Sequence, residues 1–456
     1  MWTTLLAGIL ALLILTACGS AGLTATSTAR PVAPGDRPNF LLIITDDQRY
    51  DTMDYMPRTQ ARVFGEGVTF TAGYVTTPNC CPSRSSVLTG MYAHTHGAHR
   101  NQDPLLEPTF VASLHEAGYV TGISGKYLNS WAREDPDEPP RPEFDFWVAF
   151  GSVPEEDDYF DPTLNVAGSW TERQGYFTHI LRDEALAFLE GAEDQDAPFL
   201  LIFAPYAPHK PADPAPGDED LYTDLPLHRP PSHDEADVSD KPDTMARRPQ
   251  MAVERIEELD AFRLKQLRSL NAVDEAVESL LDELEAQGEL DETVVIYLSD
   301  NGVFWGEHRV GGKNLAYEEA IHVPFALRYP PLVPPSGGEP RVEPRLVANI
   351  DIAPTIYELA GLPIPPGVDG RSLVPLLQGT DDWREDLLIE NWDGGKPRFQ
   401  AVHTGRYVYI RQANGDTELY DLSEDPYQLE NLSGDIAVAA TESDLRARLE
   451  VALEDG

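Results

Sequence analysis

The 456-residue chain is predicted to be an α/β protein, with a large mixed, mainly parallel sheet flanked by helices and a small α+β subdomain at its C-terminal end. Three observations predict this. Residues 40–44, 199–204 and 294–298 are apolar runs without polar alternation, as expected of strands buried on both faces of a parallel sheet. Between the second and third runs, Leu267, Leu270, Val273, Val277, Leu280 and Leu284 recur at helical spacing, and Gly288 stops them, which completes a strand–helix–strand unit. Residues 398–422 instead alternate around a central Asn-Gly-Asp turn, the pattern of an antiparallel meander.

The elements follow in order. Residues 5–15 form an apolar run too short for a comfortable membrane span and suited to a signal peptide, here residues 1–17. The run ends in Leu-Thr-Ala-Cys, which resembles a bacterial lipobox with Cys18 as the lipidated residue, although no Lys or Arg precedes it. An ordinary cleaved signal with an incidental cysteine is the plainer alternative. Residues 18–36 are small, polar and Pro-containing, a flexible tether. The main domain is expected over 37–378. Within it, residues 211–249 are Pro- and Asp-rich without periodicity and read as a long insertion after a strand end, a lid or a plain surface loop. The subdomain is expected over 379–456, closing with a helix near 445–453. The chain should therefore be extracytoplasmic, either released or tethered, touching the membrane only through a lipid anchor.

Charge narrows the partners. The formal net charge is −43, with 77 acidic residues against 34 basic ones. Such a chain repels nucleic acid and anionic membranes, and an anionic substrate would need a locally positive pocket. Only six lysines are present, and Lys126, Lys210 and Lys313 lie at strand ends or Gly-rich turns. Asp46 and Asp47 follow one apolar strand, and Asp300 and Asn301 follow another. Ligands gather at the carboxyl ends of such strands. Oxygen-only side chains suit a hard cation, Ca²⁺ or Mg²⁺, although a strand-end Asp pair is more often a turn or a helix cap. Besides Cys18 the cysteines are Cys80 and Cys81 alone. A disulfide between sequence neighbours is strained, so these two are either inert or chemical.

The stretch from Cys80 to Gly90, Cys-Cys-Pro-Ser-Arg-Ser-Ser-Val-Leu-Thr-Gly, fills every fixed position of Cys-x-Pro-Ser-Arg-x-x-x-Leu-Thr-Gly. It resembles the type I sulfatase signature, and the spacing makes Cys80 the reactive residue and Cys81 the variable one. "TDDQR", "GKYLN", "APHKP", "LSDNG", "GEHRVGGKNLAYEEAIHVPF", "DIAPTIYELAG" and "DGRSLVPLL" resemble further sulfatase segments in the family's order, over most of 39–378. "LYDLSEDPYQLENL" resembles the family's C-terminal portion. Within the family, "TDDQR", "CCPSR" and "GKYLN" are similar to the N-acetylglucosamine-6-sulfatase and extracellular heparan 6-O-sulfatase branch.

The resemblance implies an alkaline phosphatase-like fold and a sulfate-ester hydrolase acting on a sulfated sugar or a related alkyl or aryl sulfate. It implies that a formylglycine-generating enzyme oxidises Cys80 to Cα-formylglycine. It implies that Asp46, Asp47, Asp300 and Asn301 hold Ca²⁺ (or Mg²⁺) together with the modified Cys80. Asp300 would take the proton of the attacking hydroxyl, His209 would protonate the leaving alcohol, and Arg84, Lys126 and Lys313 would stabilise the sulfuryl charge. The chain departs from many arylsulfatases in having Leu128, not histidine, two positions after Lys126. The base for sulfate elimination is therefore open among His308, His94, His96 and His99. Two further readings remain: a phosphodiester or phosphonate monoester hydrolase of the same superfamily, and a non-catalytic carbohydrate-binding lipoprotein.

Overall fold

A computed structural model describes residues 37–133, 135–151, 159–193, 195, 197–335 and 340–454. The expected signal peptide, Cys18 and the tether lie outside them. The three apolar runs become the strands Asn39–Thr45, Phe199–Ala204 and Thr293–Ser299, every residue of them buried. They pair in parallel, with Asn39–Thr45 in the middle. Val120–Lys126 and then Phe146–Phe150 extend the parallel run beyond Phe199–Ala204. On the other side Phe325–Arg328 joins antiparallel to Thr293–Ser299, and the sheet reaches ten strands.

Both faces of the sheet are covered because each central strand is apolar at odd and even positions alike. Phe40, Leu42 and Ile44 enter one core with the helices Cys80–Thr89, Phe110–Glu116 and Ile352–Leu359. Leu41 and Ile43 enter the other, beneath the helices Phe177–Glu193 and Val253–Gln287. The second of these is longer than the apolar periodicity predicts. Its first turns, residues 253–258, are mostly solvent-exposed and charged, so no buried stripe marks them. Its end is as expected: Gly288 caps it at φ +78°, a conformation that costs glycine little.

Residues 387–421 form a separate antiparallel sheet of four strands in sequence order. Phe399, Ala401, Val408 and Ile410 turn one face toward the main body, against Phe304, Tyr317 and Ile321. Val402, Tyr409 and Leu419 turn the other toward the terminal helix Ala439–Glu454, through Leu445 and Leu449. The 211–249 insertion contains one short helix, Asp243–Ala246. Its second half is pinned to the main body and to the C-terminal region. Asp234 N–H donates to Gly306 O at 2.9 Å, His308 N–H donates to Ser232 O at 2.7 Å, and Lys241 Nζ reaches Leu429 O at 3.1 Å.

Candidate active site

Strand register builds the site. Thr45 and Ser299 are direct partners across the parallel pair, so Asp46–Asp47 and Asp300–Asn301 leave the sheet side by side. Asp300 N–H donates to Thr45 O at 3.0 Å. Asp47 adopts φ +65°, a left-handed conformation that Asp tolerates better than most residues. Its N–H donates to Asp300 Oδ1 at 3.2 Å, and Asn301 Nδ2 donates to Asp47 Oδ1 at 2.6 Å. Lys126 is the last residue of a neighbouring strand, and its ammonium lies against Asp46 Oδ2. Gly125 lets this strand pack closely: a Cβ there would sit 2.0 Å from Ala204 O, and φ is +130°.

The other half of the site is the helix Cys80–Thr89, buried along its whole length. Cys80 is its first residue, so the helix N-terminus, favourable to negative charge, faces the same place. Cys80 Sγ lies 3.5 Å from Asp46 Oδ1 and accepts from Lys313 Nζ at 2.7 Å. One turn on, Arg84 Nε donates to Asp300 Oδ2 at 2.8 Å and Nη1 donates to Lys126 O at 3.0 Å. Arg84 Nη2 is buried with no hydrogen-bond partner among the described residues. Lys313 also lies against Asp47 Oδ1. His209, on the loop after Phe199–Ala204, has Nε2 3.8 Å from Asp47 Oδ2, while Nδ1 pairs with Lys210 O at 2.8 Å. A carbonyl can only accept, so Nδ1 carries a proton and Nε2 is left for other chemistry.

Three carboxylates and three permanent cations thus share one buried cluster. Burial alone would raise every carboxyl. At Asp46 the charges of Lys126, His209, Arg84 and Lys313 outweigh burial and hold the group well below the usual range. At Asp300 burial and the Asp46 charge outweigh Arg84, Lys126 and Lys313, and the carboxyl is pushed up. Burial, reinforced by Asp46, also raises the Cys80 thiol. As a thiol, residue 80 is therefore a poor nucleophile at neutral pH. Ligand atoms of Asp46, Asp47, Cys80 and Asp300 all lie within 4.8 Å of one another. Asn301 Nδ2 is committed to Asp47 and to Gly302 O, so its oxygen, which Lys313 Nζ approaches at 3.4 Å, is the atom that can face a cation. This oxygen-rich set, three of its members carboxylates, fits a hard divalent cation.

Every residue expected in the site meets here: Asp46, Asp47, Cys80, Arg84, Lys126, His209, Asp300, Asn301 and Lys313. Lys210 does not, and is exposed. The four further histidines have other partners. His94 pairs with Glu390 at 2.9 Å, His96 with Ser86 at 3.1 Å and His308 with Glu235 at 2.7 Å, while the His99 ring stacks on Trp392. Cys80 and Cys81 are both free thiols. Cys81 is wholly buried; its Sγ accepts from Asn129 N–H at 2.9 Å and its N–H donates to Asn101 Oδ1 at 3.0 Å.

Several supporting residues carry no local signal. Gln266, inside the long helix, donates to Pro208 O at 2.8 Å beside His209 and lies 3.4 Å from Asp47 O. Asn349 receives Thr76 N–H and donates to Ser83 Oγ at 2.9 Å, which fixes the start of the Cys80 helix.

Comparison with known proteins places this geometry. The Sulfatase family model matches residues 38–362, and the model for the C-terminal part of N-sulphoglucosamine sulphohydrolase matches 306–455. The Extracellular sulfatase SULF-1 homolog of Drosophila melanogaster is 34% identical over 413 residues, covering 85% of this chain but 36% of that protein. Human N-acetylglucosamine-6-sulfatase is 32% identical over 395 residues, 80% of this chain and 69% of that one. A solved structure of a protein in complex with its substrate D-glucosamine-2-N,6-O-disulfate superposes with a TM-score of 0.80 at 25% identity, covering 92% of this chain and 98% of that one. Among the described residues no helix is long and apolar enough to cross a membrane.

Proposed function

The chain belongs to the sulfatase family, and from that premise we propose that it hydrolyses sulfate esters of sugars, of the glucosamine 6-sulfate type. The reading rests on one observation above all: the signature residue Cys80 lies against Asp46 and Lys313, inside a cluster of three carboxylates and three cations. The named substrate of the glucosamine disulfate complex and the human relative support the sugar.

Asp46, Asp47, Asp300 and the Asn301 oxygen would hold Ca²⁺ or Mg²⁺. With residue 80 oxidised to formylglycine by a maturation enzyme, the cation supplies charge that makes a hydrated aldehyde a competent nucleophile near neutral pH. The chain's own residues do the rest. Asp300 lies beside residue 80, with Arg84 Nε donating to its Oδ2 at 2.8 Å, and is placed to take up a proton there. Arg84 Nη2, which has no hydrogen-bond partner among the described residues, and the ammonium groups of Lys126 and Lys313 bind the sulfuryl oxygens and stabilise their charge as the ester bond breaks. His209 presents Nε2 to the leaving alcohol as its proton donor, with Asp47 Oδ2 3.8 Å away. We place the protein outside the cytoplasm, tethered through Cys18, in keeping with its extracellular relative.

The test is the initial rate of sulfate release from N-acetylglucosamine 6-sulfate, set against hydrolysis of a phosphate diester, with enzyme matured in an oxidising host. Faster turnover of the sulfate ester is expected. A preference for the diester would move the chain to the phosphonate and phosphodiester branch.

A further inference from the structure

The catalytic cluster lies outside the 211–249 insertion, but the insertion grips the segment that carries Lys313. Lys313 follows directly on a short hairpin in which Phe304–Trp305 pairs antiparallel with Gly311–Gly312. At the tip of that hairpin His308 and Arg309 stand at φ +52° and +60°. Such angles are unfavourable for residues with a Cβ, and two in succession persist only where the surroundings over-determine them.

The insertion supplies those surroundings. His233 bridges antiparallel to Glu307, so this part of the insertion runs along the tip as a strand would. The His308 side chain is wholly buried, and its Nδ1 pairs with Glu235 Oε2 at 2.7 Å. Arg309 donates through Nε to Glu235 O at 2.8 Å and through Nη2 to Ala236 O at 2.9 Å. Glu235 thus holds both left-handed residues, one with its carboxylate and the other with its carbonyl. Glu235 is itself buried and fixed. Its Oε1 lies 3.5 Å from Lys241 Nζ, which in turn donates to Leu429 O at 3.1 Å and sits 4.8 Å from the centre of the Tyr420 ring.

What the tip fixes is the starting point of Lys313. Its ammonium reaches Cys80 Sγ at 2.7 Å and Asn301 Oδ1 at 3.4 Å. A lysine stem is flexible, so the ammonium is placed by where its backbone is held and by what it meets at its far end. Misplacing a group at a reacting centre by about 1 Å costs on the order of a hundredfold in rate.

We propose that Glu235 is a positioning residue for Lys313, and that the insertion is a fixed brace of the active site rather than a lid over it. Glu235 is no part of the carboxylate and cation cluster; it acts on the cluster through His308, Arg309 and the hairpin. The proposal rests on the sulfatase reading and adds to it the means by which one of the three cations is held in place.

The experiment is a double-mutant comparison of kcat/KM on N-acetylglucosamine 6-sulfate, with matured enzyme kept well below the Tm of each variant. Glu235→Ala is expected to lower kcat/KM at least about tenfold in the unaltered enzyme, and equally in a His209→Ala background. In a Lys313→Ala background the same change is expected to cost less than about twofold, because the group it positions is already gone. Inhibition by inorganic sulfate gives a second readout: its Ki is expected to rise in Glu235→Ala and in Lys313→Ala alike. Glu235→Gln keeps the volume and one oxygen for His308, so it keeps the test open should the alanine variant fold poorly. For it a loss of at least about threefold is expected, with the same dependence on background. An equal loss in all three backgrounds is general loosening and overturns the positioning role. So does undiminished activity, or an unchanged Ki, in the folded Glu235 variants. An unaltered enzyme that releases no sulfate overturns the function itself, and the part of Glu235 in it.

Discussion

At the scale of single residues, Cys80 and Cys81 are neighbours with opposite surroundings. Cys80 faces Asp46 and Lys313, whereas Cys81 is locked by the Asn129 and Asn101 backbone and side-chain bonds. Cys80→Ala should lower sulfate-ester turnover at least about a thousandfold, as loss of a nucleophile does. Cys81→Ala should keep most of the activity and lose roughly 1–2 kcal/mol of stability from its buried site. Steady-state rates with parallel urea denaturation separate the two, and equal activity losses would mean the register of the motif had been misread. The motif singles out Cys80 from the sequence alone, because its fixed positions all fall within residues 80–90. Gln266 and Asn349 were not legible. Each acts through bonds to segments far away in the chain, Gln266 to Pro208 and Asn349 to Thr76 and Ser83, and no local pattern marks a polar side chain for such work.

At the scale of elements, the strand ends carry the site. The central strands were readable because burial on both faces removes polar alternation, and their ends were readable because polarity begins abruptly there. The helix Val253–Gln287 shows where such reading stops, since its exposed first turns have nothing apolar to declare them. The order in which strands pair was not legible either. Val120–Lys126 sits beside Phe199–Ala204 across a long stretch of chain, and that placement alone brings Lys126 to Asp46. Gly125 permits the approach. Gly125→Ala puts a methyl 2.0 Å from Ala204 O at φ +130° and should cost about 2–4 kcal/mol. Differential scanning calorimetry would read this as a lower Tm, and a Tm within a degree or so of the unaltered protein would contradict the packing argument.

At the scale of the whole molecule, a chain of net charge −43 concentrates Arg84, Lys126 and Lys313 in one buried cluster. Those cations offset three buried carboxylates, and a divalent ion would bind the same oxygens. Chelation should therefore lower both the activity and the Tm, and added Ca²⁺ or Mg²⁺ should restore them, because an ion that binds only the folded state stabilises it. A Tm indifferent to chelator would detach the metal from this cluster. The most direct test of the central claim is mass spectrometry of the tryptic peptide carrying residue 80, from protein matured with a formylglycine-generating enzyme. The account predicts a species in which the Cys80 side chain has changed from CH₂SH to CHO while Cys81 remains a thiol. Only unmodified Cys80, in protein that still releases sulfate, would contradict it.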